Sequence, residues 1–110
     1  MDLSLLLDQA PDRRWDLARQ MGVASAVTGL PRTEDRDPWA FEPLMEMQSR
    51  FRERGLSLDV IESRPPMDDV VLGREGRDEQ IDAVCDLLRN MGRLDIPVYC
   101  WVWTENPVGV

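Results

Sequence analysis

The chain has 110 residues, 43% hydrophobic and 31% charged, with 13 basic residues against 21 acidic ones and a net charge of −8. That size fits one small domain with a modest core, and the acid excess argues against a nucleic acid or an anionic membrane surface as partner. Every base is Arg and His is absent, so the side chain that most often does acid–base work near neutral pH is missing.

The first apolar run, "LSLLL" at 3–7, predicts a short buried strand. It carries no basic leader, so it does not read as a signal peptide, and no run approaches the roughly 18 apolar residues of a membrane span. A cytoplasmic chain is the expectation. Next, "PDRRWDLARQMG" (11–22) places Asp12 as a helix N-cap, Trp15, Ala18 and Met21 on one face, and Gly22 as the stop. "VASAVTG" (23–29) predicts a second strand and "LPRTEDRDPW" (30–39) a loop. From Phe41 to Arg54 a helix is expected, with Leu44, Met47 and Phe51 in one stripe, Pro43 in its first turn and Gly55 at its end.

"LSLDVIE" (56–62) predicts a third strand, ending on Glu62. The polar stretch "SRPPMDDVVLGREG" (63–76) reads as a long loop, followed by a helix capped by Asp78 with Ile81, Val84, Cys85, Leu88 and Met91 in its stripe. "VYCWVW" (98–103) closes the series as a fourth strand, with Trp101 and Trp103 sharing one face. Cys85 and Cys100 lack a C-x-x-C spacing and read as buried, reduced thiols, with a disulfide as the alternative.

The resulting order, β-α-β-α-β-α-β, demands parallel strands with right-handed crossovers and helices outside the sheet. A doubly wound nucleotide-binding sheet would place glycines after the first strand, where "LLLDQAPDRR" has none. A (β/α) barrel needs eight such units, so residues 1–110 are expected to form a single partial barrel domain of about four parallel strands and three outer helices.

The stretch "VIESRPPMDDVVLGREGRDEQIDAVCDLLRNMGRLDIPVYC" resembles the N-terminal half of the D-mannonate dehydratases, TIM barrels of the xylose-isomerase-like group. The resemblance rests on Glu62, Ser63, Pro65, Asp68, Asp69, Leu72, Gly73, Gly76, Arg77, Asp78, Glu79, Leu88, Arg89, Asn90 and Cys100, in that order. Upstream, "ARQMGVASAVTGLP" is similar to the family's Arg-Gln before Gly and its Val-Thr-(Ala/Gly)-Leu strand. Three features depart from the pattern: Met67 replaces a usual His, the first strand lacks aromatics, and "WVWTENPVGV" does not continue as the family's fourth strand does.

The resemblance implies a lyase that dehydrates the sugar acid D-mannonate to 2-keto-3-deoxygluconate with Mn2+ or Fe2+. It places the metal ligands in the second half of the barrel, outside this chain. The chain alone is therefore expected to be inactive, awaiting a missing C-terminal half or assembling as a homo-oligomer. A sugar isomerase or epimerase of the same barrel group, or a non-catalytic truncated half-barrel, are the alternatives. The substrate-side candidates are Glu62 at a strand end, Asp68 and Asp69 in the loop, and Arg77 at the helix start. Each has a plainer reading: Glu62 holding loop amides, the Asp pair as a solvated turn, and Arg77 pairing with Glu79 or Asp82. "GREGRD" reads better as a tight turn than as a phosphate cradle, since no Lys-Ser/Thr follows.

Overall fold

In a computed structural model, residues 3–101 are described. Four strands and four helices follow along them, alternating except where α3 and α4 both lie between the last two strands. β1 is Ser4–Leu6, α1 Arg13–Gln20, β2 Ser25–Thr28 and α2 Phe41–Glu53. β3 is Ser57–Glu62, α3 Asp68–Val71, α4 Arg77–Arg93 and β4 Val98–Cys100. The sheet order is β1-β2-β3-β4 and every pairing is parallel, as the long crossovers require.

Local signals set both ends of α1 and the start of α2. Asp12 caps α1, its carboxylate accepting the Arg14 N–H at 2.9 Å, and Gly22 leaves the helix at φ +79°, a conformation that costs glycine little. Pro43 sits in the first turn of α2, where its missing N–H is not needed. α2 buries Leu44, Met47 and Phe51 completely, and the Phe51 ring stacks on Trp15 of α1 at 4.0 Å between centroids. That contact joins the first two crossovers over the sheet, and the Trp15 indole N–H donates to the Asp8 carbonyl at 3.0 Å.

The sheet separates two faces. Leu5, Ala26 and Leu58 share one register row and lie in or against the helix-side core. The next row, Leu6, Val27, Val60 and Val98, faces the other way. At the register shift beside Ala26 and Val27, β3 carries one extra residue, which is a β-bulge. The residue is Asp59, whose carboxylate accepts from the hydroxyls of Ser25 and of Ser57, the latter at 2.7 Å.

Several expectations from the sequence are corrected. Met21 is 66% exposed, because α1 ends one residue before it. α4 starts at Arg77 with Gly76 in the cap position, so Asp78 lies inside the first turn and does not cap it. The buried residues of α4 are Leu87 and Met91, whereas Ile81 and Leu88 of the expected stripe are exposed. The thiols are free as expected, but Cys100 is exposed and Cys85 only half-buried. Trp101 follows β4 outside the strand, and residues 102–103 of the expected fourth strand lie outside the described residues.

Candidate active-site rim

Parallel strands deliver their C-terminal ends to one side of the sheet, where βα loops gather and barrel enzymes hold their chemistry. Here the loops after β1, β2 and β3 meet at Gly29. A Cβ there would stand 2.8 Å from the Gln9 side-chain nitrogen, the movable end of a flexible side chain, and at ordinary contact, 3.7 Å, from the Ser63 Cβ. The Gln9 amide also donates to the Leu30 carbonyl at 3.0 Å. Beside it, Arg32 forks onto the Asp8 carboxylate at 2.8 and 3.3 Å. The Arg32 hydrogen bond, aided by the Ala10 N–H, holds the Asp8 carboxyl below the usual range.

Glu62 ends β3 on the face away from the helices, in register with Cys100 of β4, and both are exposed. The sequence placed Glu62 at the strand's end, and the structure does so. Its neighbours in the chain fold into a built turn. Pro65 is fully buried and Met67 is 7% exposed, which pins the loop to the domain. The short helix α3 follows, so the stretch 63–76 is not devoid of secondary structure.

A glutamine from the next helix holds that turn. The Gln80 side-chain oxygen accepts the backbone N–H groups of Asp69 at 2.9 Å and Val70 at 3.3 Å, satisfying donors at the start of α3. Its NH2 group donates to the Asp69 carboxylate at 3.2 Å. Arg74 approaches the other Asp69 oxygen at 3.2 Å. Gly76 completes the turn at φ +91°, and a Cβ there would meet Asp69 Oδ2 at 2.9 Å.

The four residues singled out from sequence therefore separate. Glu62 stands on the inner face of the sheet. Asp69 is bound into the turn by Gln80 and Arg74, and Asp68 lies 3.5 Å from the Arg64 guanidinium. Arg77, exposed, donates to the Gly73 and Arg74 carbonyls at 3.4 Å each, in place of the expected pairing with Glu79 or Asp82. Asp8, Gln9, Arg32 and Arg64 were not singled out. Asp8 and Gln9 directly follow a strand, the same signal that picked out Glu62.

Among the described residues no group of three or more His, Cys, Asp or Glu side chains could hold a metal ion. Glu62 and Cys100 offer two donors at most. No described helix is long and apolar enough to cross a membrane.

The pattern of the D-mannonate dehydratase (UxuA) family matches residues 14–107. The chain belongs to this family. The mannonate dehydratase of Streptococcus pneumoniae is 35% identical over 80 residues, which are 73% of this chain and 21% of that protein. That of Thermotoga maritima is 32% identical over a stretch of the same coverage. The crystal structure of the Streptococcus suis serotype 2 mannonate dehydratase superposes with a TM-score of 0.77 and 28% identity, covering 91% of this chain and 29% of that one. The chain thus spans about a fifth of the length of these curated relatives. Its parallel α/β half-barrel is the fold that the dehydratase family implies.

Proposed function

We propose that this chain supplies the first strands and substrate-side loops of a mannonate dehydratase-like lyase acting in the cytoplasm. The reaction removes the proton beside the carboxylate of D-mannonate and expels the neighbouring hydroxyl as water. The enol left behind tautomerises to 2-keto-3-deoxygluconate. The observation that carries this reading is the family match over residues 14–107, together with strands whose ends bring the matched loop to one rim.

Charge gives the rim a role. A chain of net charge −8 repels a sugar acid at long range, so local guanidinium groups must offset that field. Arg32, Arg64 and Arg77 all lie in the βα loops or at their ends. Glu62 would orient a substrate hydroxyl from the inner face. Asp68, Asp69 and Arg77 shape the wall above it.

The metal that the family implies, Mn2+ or Fe2+, does not fit the donors among the described residues of this chain. Without His, and with only Glu62 and Cys100 in register, the described residues lack a full ligand set.

The test is turnover by the chain combined with a polypeptide supplying the remaining family strands. With D-mannonate and Mn2+ the expected product is 2-keto-3-deoxygluconate. Isomerised or epimerised sugar without water loss would favour the isomerase reading and contradict this one.

A further inference from the structure

The helix α4 is occupied on one flank and open on the other. On the α2 side, Asn90 donates to the Trp39 carbonyl at 2.9 Å, and the Arg93 guanidinium lies 3.9 Å over the Phe41 ring. Its underside, Leu87 and Met91, joins the core. On the far flank Val84 and Leu88 meet Met67, Tyr99 and Trp101 around an open hollow of about 430 Å3. Leu88 is 47% and Trp101 55% exposed there.

A second hollow, of about 450 Å3, runs from Leu88 and Tyr99 to Asp95 and Pro97. Because Leu88 and Tyr99 line both, the two join into one groove along β4, from Pro97 before the strand to Trp101 after it. At ~3.3 Å per strand residue the groove is about 13 Å long, which about nine helical residues fill at ~1.5 Å each. Its lining is mostly apolar and gives a small molecule few polar groups to orient it. An apolar helix stripe suits it better.

Crossover handedness selects which helix. α1, α2 and α4 all send their buried residues into one core on one side of the sheet. A right-handed crossover from β4 to a further parallel strand places its helix on that same side, beside α4 and over the edge of β4. β4 has a single described neighbour in the sheet, and the superposition covers only 29% of the Streptococcus suis chain, so the family fold has further units to place there.

We infer that this groove seats the helix that follows β4 in the closed barrel, with Leu88 as the anchor between this chain's strands and the remaining family strands. The inference rests on the proposed function and goes beyond it by naming the surface on which the rest of the barrel docks. Strand pairing along the β4 edge supplies backbone hydrogen bonds that any sequence can make, whereas the groove reads side chains. The contact repeats on the open flank what Trp15 and Phe51 do between α1 and α2.

Calorimetric titration tests the inference, the probe being the portion of the Streptococcus suis mannonate dehydratase that the superposition leaves uncovered. The wild-type chain should bind it. Leu88→Glu should weaken binding by about tenfold or more, because a carboxylate is buried without a partner, and should leave the far-UV circular dichroism of the free chain unchanged. Leu88→Ala, which adds no charge, should weaken binding in the same direction. Met45→Glu is the control: Met45 is 39% exposed on α2, between two described helices and away from the groove, and its substitution should leave binding unchanged. Binding that survives both Leu88 substitutions, or falls equally with Met45→Glu, overturns the groove as the seat, as does a wild-type chain that does not bind. Turnover of D-mannonate by the wild-type pair separates the two readings, since it upholds the proposed function even where the Leu88 variants bind like wild type.

Discussion

Asp12 accepts the Arg14 N–H at the start of α1 and also meets the Arg14 guanidinium at 2.9 Å. The ion pair is exposed and contributes little, so the cap is the larger effect. Asp12→Ala should cost about 1 kcal/mol, read as a lowered urea midpoint with an unchanged slope. Tyr99 presents the opposite case. Its hydroxyl is buried without a hydrogen-bond partner among the described residues, and burial pushes its pKa above 10 while Arg64 pulls it down. Tyr99→Phe should hold stability or raise it by about 1 kcal/mol, since a buried unsatisfied group is removed. The neutral phenol is favoured in the folded chain, so its share of stability is present below pH 10 and is lost as pH climbs through the raised value. Asp8, lowered chiefly by Arg32, has the reverse sign. Its share is present above the ordinary carboxylate value of 3.8 and disappears as pH falls below it. Thermal melts at acid and alkaline pH, compared with Asp8→Asn and Tyr99→Phe, separate the two.

At the scale of elements, the turn from α3 into α4 depends on Gln80 and Gly76. Gln80→Ala removes the acceptor for two backbone donors and should cost about 1–3 kcal/mol if they stay buried, less where water reaches them. Gly76→Ala combines a positive φ with a Cβ 2.9 Å from the Asp69 carboxylate, and should destabilise by more than 1 kcal/mol. Hydrogen exchange at the Asp69 and Val70 amides would rise in both variants. Unchanged protection would mean that the turn is held by something else. None of this was legible in the sequence, because a side chain 11 residues away supplies the cap. The stripe of α2 was legible: Leu44, Met47 and Phe51 repeat at helical spacing and are all fully buried. The stripe of α4 was read one edge too far round. Periodicity gives the width of an apolar arc, not which side of it meets the sheet. Leu87 and Met91 join the core, whereas Leu88 lines the open hollow beside Tyr99 of β4, and Ile81 is exposed.

For the whole molecule, strand direction followed from alternation and crossover length, while the barrel order needed the absence of a Gly-rich first loop and the family resemblance; the structure agrees in every pairing. The rim was only partly readable. Glu62 was placed by its position at the end of a strand, whereas the Asp8–Arg32 pair joins loops 24 residues apart, a distance that local pattern does not reveal. The bare inner face explains why so much apolar surface remains: the row from Leu6 to Val98 is a barrel lining with half its barrel missing among the described residues. On the proposed reading such a chain contributes a wall and a rim, and the described residues leave a metal's ligands to be supplied from elsewhere. Calorimetric titration of the purified 110-residue chain with Mn2+, followed by assay with D-mannonate, tests that claim most directly. The expected result is no tight uptake at neutral pH and no 2-keto-3-deoxygluconate. Stoichiometric uptake with turnover that a chelator abolishes would contradict it.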